Sequence, residues 1–347
     1  KELSVNSAPA PRRLAMTAIM ADGLGPKAEI CDIEHRREGK SYTSDTLAEL
    51  KEQYPDDELW LLMGTDMFLS FHTWKHPEII LENATLGVFY RGEKGEQAAI
   101  EAKKAEMEAA GARIQLVEND VVNISSTQMR RLLAFRCAGE FLPEGVLDYI
   151  RKNRLYDTRA PWKNLPMDQL EEIVIRLLNP NRIAHVLGCR DTAVELAKRW
   201  GANEEDAARA ALLHDVTKAL DGKLQLTLCR EYGIVLDAFF AKNPKILHAY
   251  TGSLVAQRIF GENEAVVAAI CWHTTGKADM TTLQKIIYLA DYIEENRTYP
   301  MCVEVREFYN ESSARAKCID EQILALHLAC IKALDNTIRE FTSRGKS

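Results

Sequence analysis

Residues 207–218 read AARAALLHDVTK, and this stretch decides how the second half of the chain is interpreted. Six of the seven residues before His214 are apolar, so His214 and Asp215 are predicted to lie on a helix that is otherwise buried. Burying an imidazole and a carboxylate is unfavourable unless both are paired. A divalent metal would pair them, since both groups are common ligands of such ions.

Other candidate ligands occur in similar apolar segments before and after this stretch. Each further candidate lies in or at the end of an apolar segment that reads as helix, and the predicted metal ligands are His185, His214, Asp215, His248, His273 and Asp291. A single histidine on an apolar face is usually a satisfied core residue, but four histidines and two aspartates of this kind in one region argue against that alternative. The other four histidines lack this pattern and are interpreted as structural or solvated: His35, His72, His76 and His327.

The region around these candidates is predicted to be all-α. Apolar residues keep a helical period from Ile183 to Trp200, and Gly201 is placed to end that helix. Asn203 is placed to cap the next helix, whose first turn is acidic. We predict a second domain over residues 169–347, preceded by a linker over 158–168 that contains two prolines.

The first 157 residues have a different pattern, and we predict that they form one α/β domain. Apolar runs over 58–64, 84–91 and 113–119 predict strands, and helical patterns cover 10–23, 44–53, 97–110 and 126–136. Alternation of this kind predicts a parallel sheet with crossover helices. Ligands of such sheets bind beyond the carboxyl ends of the strands.

Composition narrows the function classes. The net charge of −7 argues against a general nucleic-acid or membrane-surface binder, because phosphate backbones select basic surfaces. The eight cysteines include no Cys-x-x-Cys pair and are interpreted as free thiols in a reducing cytoplasm. No apolar run approaches the roughly 18 residues of a membrane-spanning helix.

The second half resembles a known superfamily. The segments NRIAH (181–185), HDVTK (214–218), LHA (247–249), HTTG (273–276) and YLADYIEENR (288–297) carry the resemblance. They are similar to the H…HD…D signature of HD-domain phosphohydrolases, and in detail to the bacterial symmetrical diadenosine-tetraphosphate hydrolases. The resemblance covers residues 170–345 approximately. It implies an all-α HD-domain helical bundle that cleaves diadenosine tetraphosphate to two ADP, usually with iron.

The resemblance also implies roles for the candidate residues. Asp215 is expected to bridge two metals, with His185 and Asp291 completing one site and His248 and His273 the other. The residue types leave iron, manganese, cobalt and zinc open. Three neighbouring cations are predicted to meet substrate phosphates, with a solvated or ion-paired side chain as the alternative for each: Arg182, Lys218 and Arg297.

The first half resembles a second family. The segments SYTSDTL (41–47), GTDM (64–67), WK (74–75) and ISSTQMR (124–130) are similar to nicotinate-nucleotide adenylyltransferases. This implies a Rossmann-like nucleotidylyltransferase fold that takes nicotinate mononucleotide and ATP with Mg²⁺. Thr43 and Trp74 are expected to face the nicotinate ring and Asp66 the ribose, with helix capping and ordinary aromatic packing as the alternatives.

The last of these segments also has a direct physical interpretation. Ser126 and Thr127 are predicted to open a helix, so that their backbone N–H groups and hydroxyls can hold triphosphate oxygens. Arg130 lies one turn further and adds a fixed positive charge.

One feature of the second family is absent from these 347 residues, namely its H-x-G-H motif. By resemblance, roughly the first 40–50 residues and a central first strand are missing, so we expect a fragment of a longer chain whose sheet exposes apolar surface. Three hypotheses stay open: a bifunctional enzyme, a hydrolase whose front domain is a structural or nucleotide-sensing module, and a non-catalytic signalling protein. HD domains of this kind often pair, so a homodimer is a further expectation.

Overall fold

The computed structural model describes residues 7–90, 96–120, 122, 124–158, 162–236, 240 and 243–344. By its internal contacts the chain divides into two compact units. The first comprises Lys1–Ser126 and Pro143–Tyr149, and the second Thr127–Leu142 and Ile150–Ser347. The boundaries proposed above at 157 and 169 stay predictions, and residues 159–161 of the predicted linker lie outside the described residues.

The first unit contains a parallel sheet, as its alternating pattern predicts. Its strands are β1 (Leu59–Gly64), β2 (Ala84–Phe89) and β3 (Ile114–Val117), in the order β1-β2-β3. Leu59 pairs with Ala84, and Leu86 pairs with Ile114. The predicted second strand extends to Arg91, which lies outside the described residues.

Helices alternate with these strands, and one face of the sheet carries the core of the first unit. The helices are α1 (Ala10–Leu24), α2 (Ile33–Arg36), α3 (Thr43–Gln53), α4 (Thr65–Leu69), α5 (Pro77–Asn83) and α6 (Glu96–Ala109). On the covered face, strand residues such as Leu86 and Val88 pack with Phe68 and Ile100. On the other face, Trp60 and Leu62 of β1 are 47% and 61% exposed.

Two helices cross the points where the chain passes between the units, α7 (Ser126–Ala134) and α8 (Glu144–Lys152). The remaining helices belong to the second unit. They are α9 (Met167–Leu177), α10 (Ile183–Trp200), α11 (Glu204–Leu213), α12 (Gly222–Glu231), α13 (Leu247–Val255), α14 (Glu264–Trp272), α15 (Thr282–Ile293), α16 (Pro300–Arg315) and α17 (Ile319–Arg344). None of the described residues of this unit lies in a strand, so the all-α prediction is confirmed for them.

Capping residues set helix ends in the second unit. Gly201 ends α10 in the left-handed region at φ 68°. Asn203 begins α11, since its side chain accepts a hydrogen bond from the backbone N–H of Asp206 at 2.9 Å. Both features agree with the prediction. Of the helices that the structure describes, none combines the length and the apolar character needed to cross a membrane.

Candidate functional site

The six predicted ligands lie together in the second unit. The Nε2 atom of His185 is 3.0 Å from Oδ1 of Asp291. The Nε2 atoms of His214, His248 and His273 lie 3.5, 3.4 and 3.8 Å from oxygens of Asp215. Four imidazoles thus point their outer nitrogens at two carboxylates.

Helix ends bring these side chains to one place. His185 lies in the first turn of α10 and His248 is the second residue of α13. His214 and His273 directly follow α11 and α14, and Asp291 lies in the last turn of α15. The prediction that His214 and Asp215 lie on a helix is wrong in one detail, because α11 ends at Leu213. After Leu213 the backbone hydrogen bonds join residues three apart instead of four, as from Lys218 N–H to the Asp215 carbonyl at 2.9 Å, and the chain forms tight turns.

Each histidine is oriented by an acceptor on its inner nitrogen. The Nδ1 atoms of His214, His248 and His273 lie 2.6–2.7 Å from backbone carbonyls, and Nδ1 of His185 lies 3.0 Å from a carboxylate oxygen of Glu294. A carbonyl oxygen can only accept, so Nδ1 carries the proton in these three rings. In the neutral ring Nε2 therefore presents a lone pair to the centre of the site.

Several polar atoms at this centre are buried without a hydrogen-bond partner among the described residues. They include Nε2 of His185, Nε2 of His214 and Oδ1 of Asp215. Unsatisfied buried polar atoms are rare and call for an explanation such as an ion. Two overlapping groups have ligand atoms within 4.8 Å of one another, His185 with His214 and Asp291, and His214 with Asp215 and His273. This donor set fits divalent cations.

The surroundings also favour the protonation states that ligation requires. Burial alone would raise the pKa of Asp215, but the charges of His214 and Lys218 hold that pKa well below its usual value. Burial likewise opposes ionisation of Asp291, but the charge of Arg297, the hydrogen bond with His185 and the charges of His214 and His185 together outweigh it and hold the pKa well below its usual value. Burial lowers the pKa of His248 to about 3.

The pKa values of His273 and His214 are shifted in opposite directions. Burial lowers the pKa of His273. For His214, burial acts in the same direction, but the charges of Asp215 and Asp291 outweigh it and raise the pKa. Anionic carboxylates and neutral imidazoles are the forms that bind metals, so a cation would compete with a proton chiefly at His214.

The three predicted phosphate-binding cations are ion-paired in the structure. Arg182 contacts Oδ2 of Asp215, and Nη2 of Arg297 lies 2.5 Å from Oδ1 of Asp291. Nζ of Lys218 lies 3.6 Å from Oδ1 of Asp215 and 2.8 Å from Nε2 of His248. All three therefore line the same centre.

Residues around the ligands support His185, and the sequence prediction missed them. We call them the outer layer, and they are Gly188, Glu294, Asn296 and Arg306. Glu294 is 1% exposed, and its Oε2 accepts hydrogen bonds from the backbone N–H and the side-chain amide of Asn296. Gly188 lies against this pair, and a Cβ there would be 2.5 Å from Oε2 of Glu294. The sequence signal for Glu294 is its place in the segment 288–297, directly after α15 and three residues after Asp291.

Arg306 of α16 completes this layer. Its guanidinium donates to the carbonyls of Ile293, Glu294 and Arg297 at 2.5–2.6 Å. These carbonyls include the end of α15, so Arg306 ties that helix end and the following turn together. Nothing in the local sequence identifies this role.

In the first unit, three predicted nucleotide-binding residues line one cavity. Thr43, Asp66 and Trp74 surround a volume of about 560 Å³, together with Ser41, Tyr42, Met67, Ser70 and Lys75. The Trp74 ring packs on Phe71 at 5.4 Å between centroids, and Nζ of Lys75 lies 4.2 Å from the centre of the Tyr42 ring. The volume is within the range of small-molecule sites.

The predicted triphosphate-binding residues fall on both sides of the unit division. Ser126 is the last residue of the first part of the first unit, and Thr127 and Arg130 belong to the second unit. Ser126 opens α7 as predicted, and both hydroxyl residues are exposed. The Arg130 guanidinium lies 5.9 Å from the centre of the Tyr156 ring.

Comparison with known proteins identifies the class of protein to which this site belongs. Residues 182–296 match the HD domain family, and this range contains all six candidate ligands. The second unit therefore holds an HD domain, a class of metal-dependent hydrolase.

Named relatives fall into two groups. The chain is 42% identical over 130 residues to a symmetrical bis(5'-nucleosyl)-tetraphosphatase of Halalkalibacterium halodurans, covering 37% of this chain and 69% of the relative. It is 36% identical over 162 residues to a probable nicotinate-nucleotide adenylyltransferase of Shewanella sp., covering 42% of this chain and 74% of the relative. A crystal structure of a predicted HD superfamily hydrolase involved in NAD metabolism, from Clostridium acetobutylicum, is 33% identical and covers 52% of this chain and 89% of its own, with a TM-score of 0.46.

The chain therefore belongs to the symmetrical bis(5'-nucleosyl)-tetraphosphatase family and, through the second group of relatives, to the nicotinate-nucleotide adenylyltransferase family. Both are families of enzymes, and both resemblances seen in the sequence are confirmed.

Proposed function

We propose that the HD domain hydrolyses dinucleoside polyphosphates at a two-metal site and cleaves diadenosine tetraphosphate with water to two ADP. The observation that carries this proposal is the position of Asp215. Its Oδ2 lies 3.8 and 3.5 Å from Nε2 of His185 and His214, and its Oδ1 lies 3.4 and 3.8 Å from Nε2 of His248 and His273. A carboxylate whose two oxygens face different imidazole pairs is suited to bridge two cations.

The chain's own residues would hold these ions by nitrogen and oxygen atoms. His185, His214 and Asp291 surround one position, and His248 and His273 the other, with Asp215 between them. Burial keeps the pKa of the nearby Cys189 thiol well above its usual value, so a neutral thiol is not expected to ligate. This donor set suits iron, the metal the family resemblance implies, and also manganese, cobalt or zinc. When bound, a metal pair supplies Lewis-acid activation of water and neutralises phosphate charge.

The charges around the site favour a polyphosphate substrate. The carboxylates of Asp215, Asp291 and Glu294 are matched in number by the cations of Arg182, Lys218 and Arg297. Divalent cations would therefore leave the site positive, and a chain of phosphates with about one negative charge each complements that excess. Arg182, Lys218 and Arg297 would then contact phosphate oxygens at the cost of part of their present ion pairing.

The test measures metal content and turnover together. Purified protein is analysed for metals and incubated with diadenosine tri-, tetra- and pentaphosphate, and the products are separated by chromatography. Asp215→Asn should lose bound metal and nearly all hydrolysis, whereas Asp191→Asn, an exposed aspartate of α10, should retain both. Full metal content and turnover in Asp215→Asn would refute the two-metal assignment.

For the first unit we propose a second activity, adenylylation of nicotinate mononucleotide. The observation in its favour is the cavity that holds Thr43, Asp66 and Trp74. An aromatic ring and a hydroxyl in its lining suit a planar nicotinate, and a carboxylate suits ribose hydroxyls. The nucleotide phosphate would attack the α-phosphorus of Mg²⁺-bound ATP and release pyrophosphate, a reaction that depends on positioning and charge neutralisation.

The alternative is that only the hydrolase is active and the first unit is a structural or nucleotide-sensing module. Calorimetric titration with nicotinate mononucleotide, followed by an assay for pyrophosphate release with Mg²⁺-ATP, separates these proposals. Turnover that Trp74→Ala abolishes supports the transferase. Binding without turnover supports a sensing module, and the absence of both supports a structural one.

A further inference from the structure

A buried arginine of α7 is bound to neutral acceptors within the second unit. Arg131 is 8% exposed, and the segment Thr127–Leu142 that contains it belongs to that unit. Its Nε donates to the carbonyl of Leu177 at 2.8 Å, and its Nη2 donates to the carbonyl of Leu178 at 3.2 Å and to Oδ1 of Asn179 at 2.9 Å. A buried guanidinium is usually paired with a carboxylate, but Arg131 has no such pair among the described residues. These three hydrogen bonds therefore offset the cost of its burial.

The three acceptors lie where α9 ends and the chain turns toward the metal centre. Leu177 is the last residue of α9, and the carbonyls of a last helical turn have no partner within their own helix. Arg131 supplies a donor there, and its positive charge suits the negative end of the helix dipole. The main chain at 177–179 is therefore fixed by a side chain that lies 46 residues earlier in the sequence.

The helix that carries Arg131 is itself anchored in the second unit. Nε2 of Gln128 donates to Oδ2 of Asp221 at 3.1 Å, and the hydroxyl of Tyr232 donates to the carbonyl of Phe135 at 2.8 Å. Asp221 also caps α12, since its Oδ1 accepts from the backbone N–H of Leu224. Helix α7 is thus held to α12 at both of its ends, so Arg131 extends from a fixed base.

The position of Arg182 depends on the segment that Arg131 fixes. Its backbone N–H donates to the carbonyl of Asn179 at 2.8 Å, and Pro180 restricts the backbone of the short turn between them. The Arg182 guanidinium contacts Oδ2 of Asp215, and its Nε is buried without a hydrogen-bond partner among the described residues. A phosphate oxygen would satisfy this nitrogen by a charge-assisted hydrogen bond.

His185 follows in the same stretch of chain but has separate support. It lies within α10, and its Nδ1 is 3.0 Å from Oε1 of Glu294. Arg182 lies before α10, in the turn Pro180–Arg182. Loosening of residues 177–179 should therefore displace Arg182 more than His185, and should weaken phosphate binding more than metal binding.

We propose that Arg131 is a positioning residue of the hydrolase, which acts through Asn179 to hold the Arg182 guanidinium where it meets a substrate phosphate. This inference rests on the proposed hydrolysis of dinucleoside polyphosphates. It assigns a role in the second unit to a residue that directly follows the segment 124–130, which resembles the adenylyltransferases.

Steady-state kinetics with diadenosine tetraphosphate, combined with metal analysis, test this role. Arg131→Met should lower kcat/KM about tenfold, mainly by raising KM, while the metal content stays unchanged. Arg131→Lys should recover part of the loss, because an ammonium can still donate to some of the three acceptors. Arg209→Met is the matched control, since Arg209 is also 8% exposed and donates to the carbonyl of Leu165 and to Glu262. It should lower stability without changing KM.

A double variant separates positioning from a general loss of structure. If Arg131 acts through Arg182, Arg131→Met should add nothing to the loss of kcat/KM that Arg182→Ala causes by itself. Asn179→Ala keeps both backbone contacts of Arg131 and should raise KM about threefold. If Arg131→Met does not fold, Asn179→Ala takes its place in the double variant. Additive losses in the double variant overturn the proposal, and so does an unchanged KM in Asn179→Ala.

Hydrogen exchange followed by mass spectrometry tests the geometry without turnover. Backbone amides of residues 178–185 should exchange faster in Arg131→Met than in the unmodified protein, whereas those of α14 should be unchanged in both. An unmodified protein that hydrolyses no dinucleoside polyphosphate contradicts the proposed function. An active protein in which Arg131→Met leaves exchange at 178–185 unchanged contradicts only the role of Arg131.

Discussion

The substitution Gly188→Ala provides a sharp test of how the outer layer supports the metal centre. Gly188 lies in α10, one turn after His185. An added Cβ would be 2.5 Å from Oε2 of Glu294 and 2.9 Å from Nδ2 of Asn296, distances that packed carbon atoms do not tolerate. Glu294 is 1% exposed and bonded to both His185 and Asn296, so it can yield only by breaking one of these bonds.

Two effects of opposite sign determine the change in stability. Replacing a glycine inside a helix by alanine stabilises it by about 1 kcal/mol. Losing a hydrogen bond to a buried charged group costs about 1.5–3 kcal/mol. We therefore expect the free energy of unfolding of the metal-free protein to fall by about 0.5–2 kcal/mol. Because His185 loses its orienting partner, metal affinity should fall about 10- to 100-fold.

Urea unfolding of the metal-free protein measures the first quantity, and competition with a chromophoric chelator measures the second. Gly23→Ala is the matched control, since Gly23 lies in α1 with no atom within 4 Å of a built Cβ. It should be neutral or slightly stabilising and should leave metal affinity unchanged. Glu294→Gln should lower metal affinity similarly, and the double variant should show less than the sum of the two effects, because both act on one contact.

Gly188→Ala must not be both more stable than the unmodified protein and equally able to bind metal. That outcome would mean that the carboxylate of Glu294 does not need its present position. A protein that binds no metal at all would contradict the proposed centre instead, while the urea measurement would still test the packing argument.

Three further outcomes are expected. Arg306→Ala should lower the free energy of unfolding by about 1–3 kcal/mol, because three carbonyls at the end of α15 lose their donor, and Arg306→Lys should restore only part of it in urea titrations. Removing metal with a chelator should destabilise the second unit by about 3–4 kcal/mol relative to protein with metal at 100–1,000 times its dissociation constant, as measured by calorimetry, and re-addition of the metal should reverse this. Burial raises the pKa of Cys330 to about 12. Since this folded pKa lies above the unfolded value of about 8.5, the thiol's contribution to stability is complete below that pH and is lost as the pH rises toward 12. In iodoacetamide labelling at pH 9 followed by mass spectrometry, exposed Cys31 and Cys318 should be labelled, while buried Cys330 should stay unlabelled in the native protein.

Much of the secondary structure follows from the sequence because its signals are local. The β1 prediction of 58–64 differs from Leu59–Gly64 by one residue, and the α6 prediction of 97–110 differs from Glu96–Ala109 by one residue at each end. Gly201 and Asn203 set helix ends through their own backbone and side-chain properties. The candidate ligands are equally visible, because a polar metal-binding side chain in an apolar segment stands out without knowledge of the fold.

Only the tertiary structure decides which groups face each other. Glu294 orients His185 across 109 residues of sequence, and Gly188 leaves room for it, yet neither role follows from the neighbours of these residues. The two faces of α17 are alike in apolar character, and the packing of the second unit determines which one is buried. The residue types and the helices that carry them can be read from the sequence, since periodicity and capping act within a few residues. The pairing of each Asp215 oxygen with its own histidines was decided by contacts between distant helix ends, which depend on how the whole unit packs.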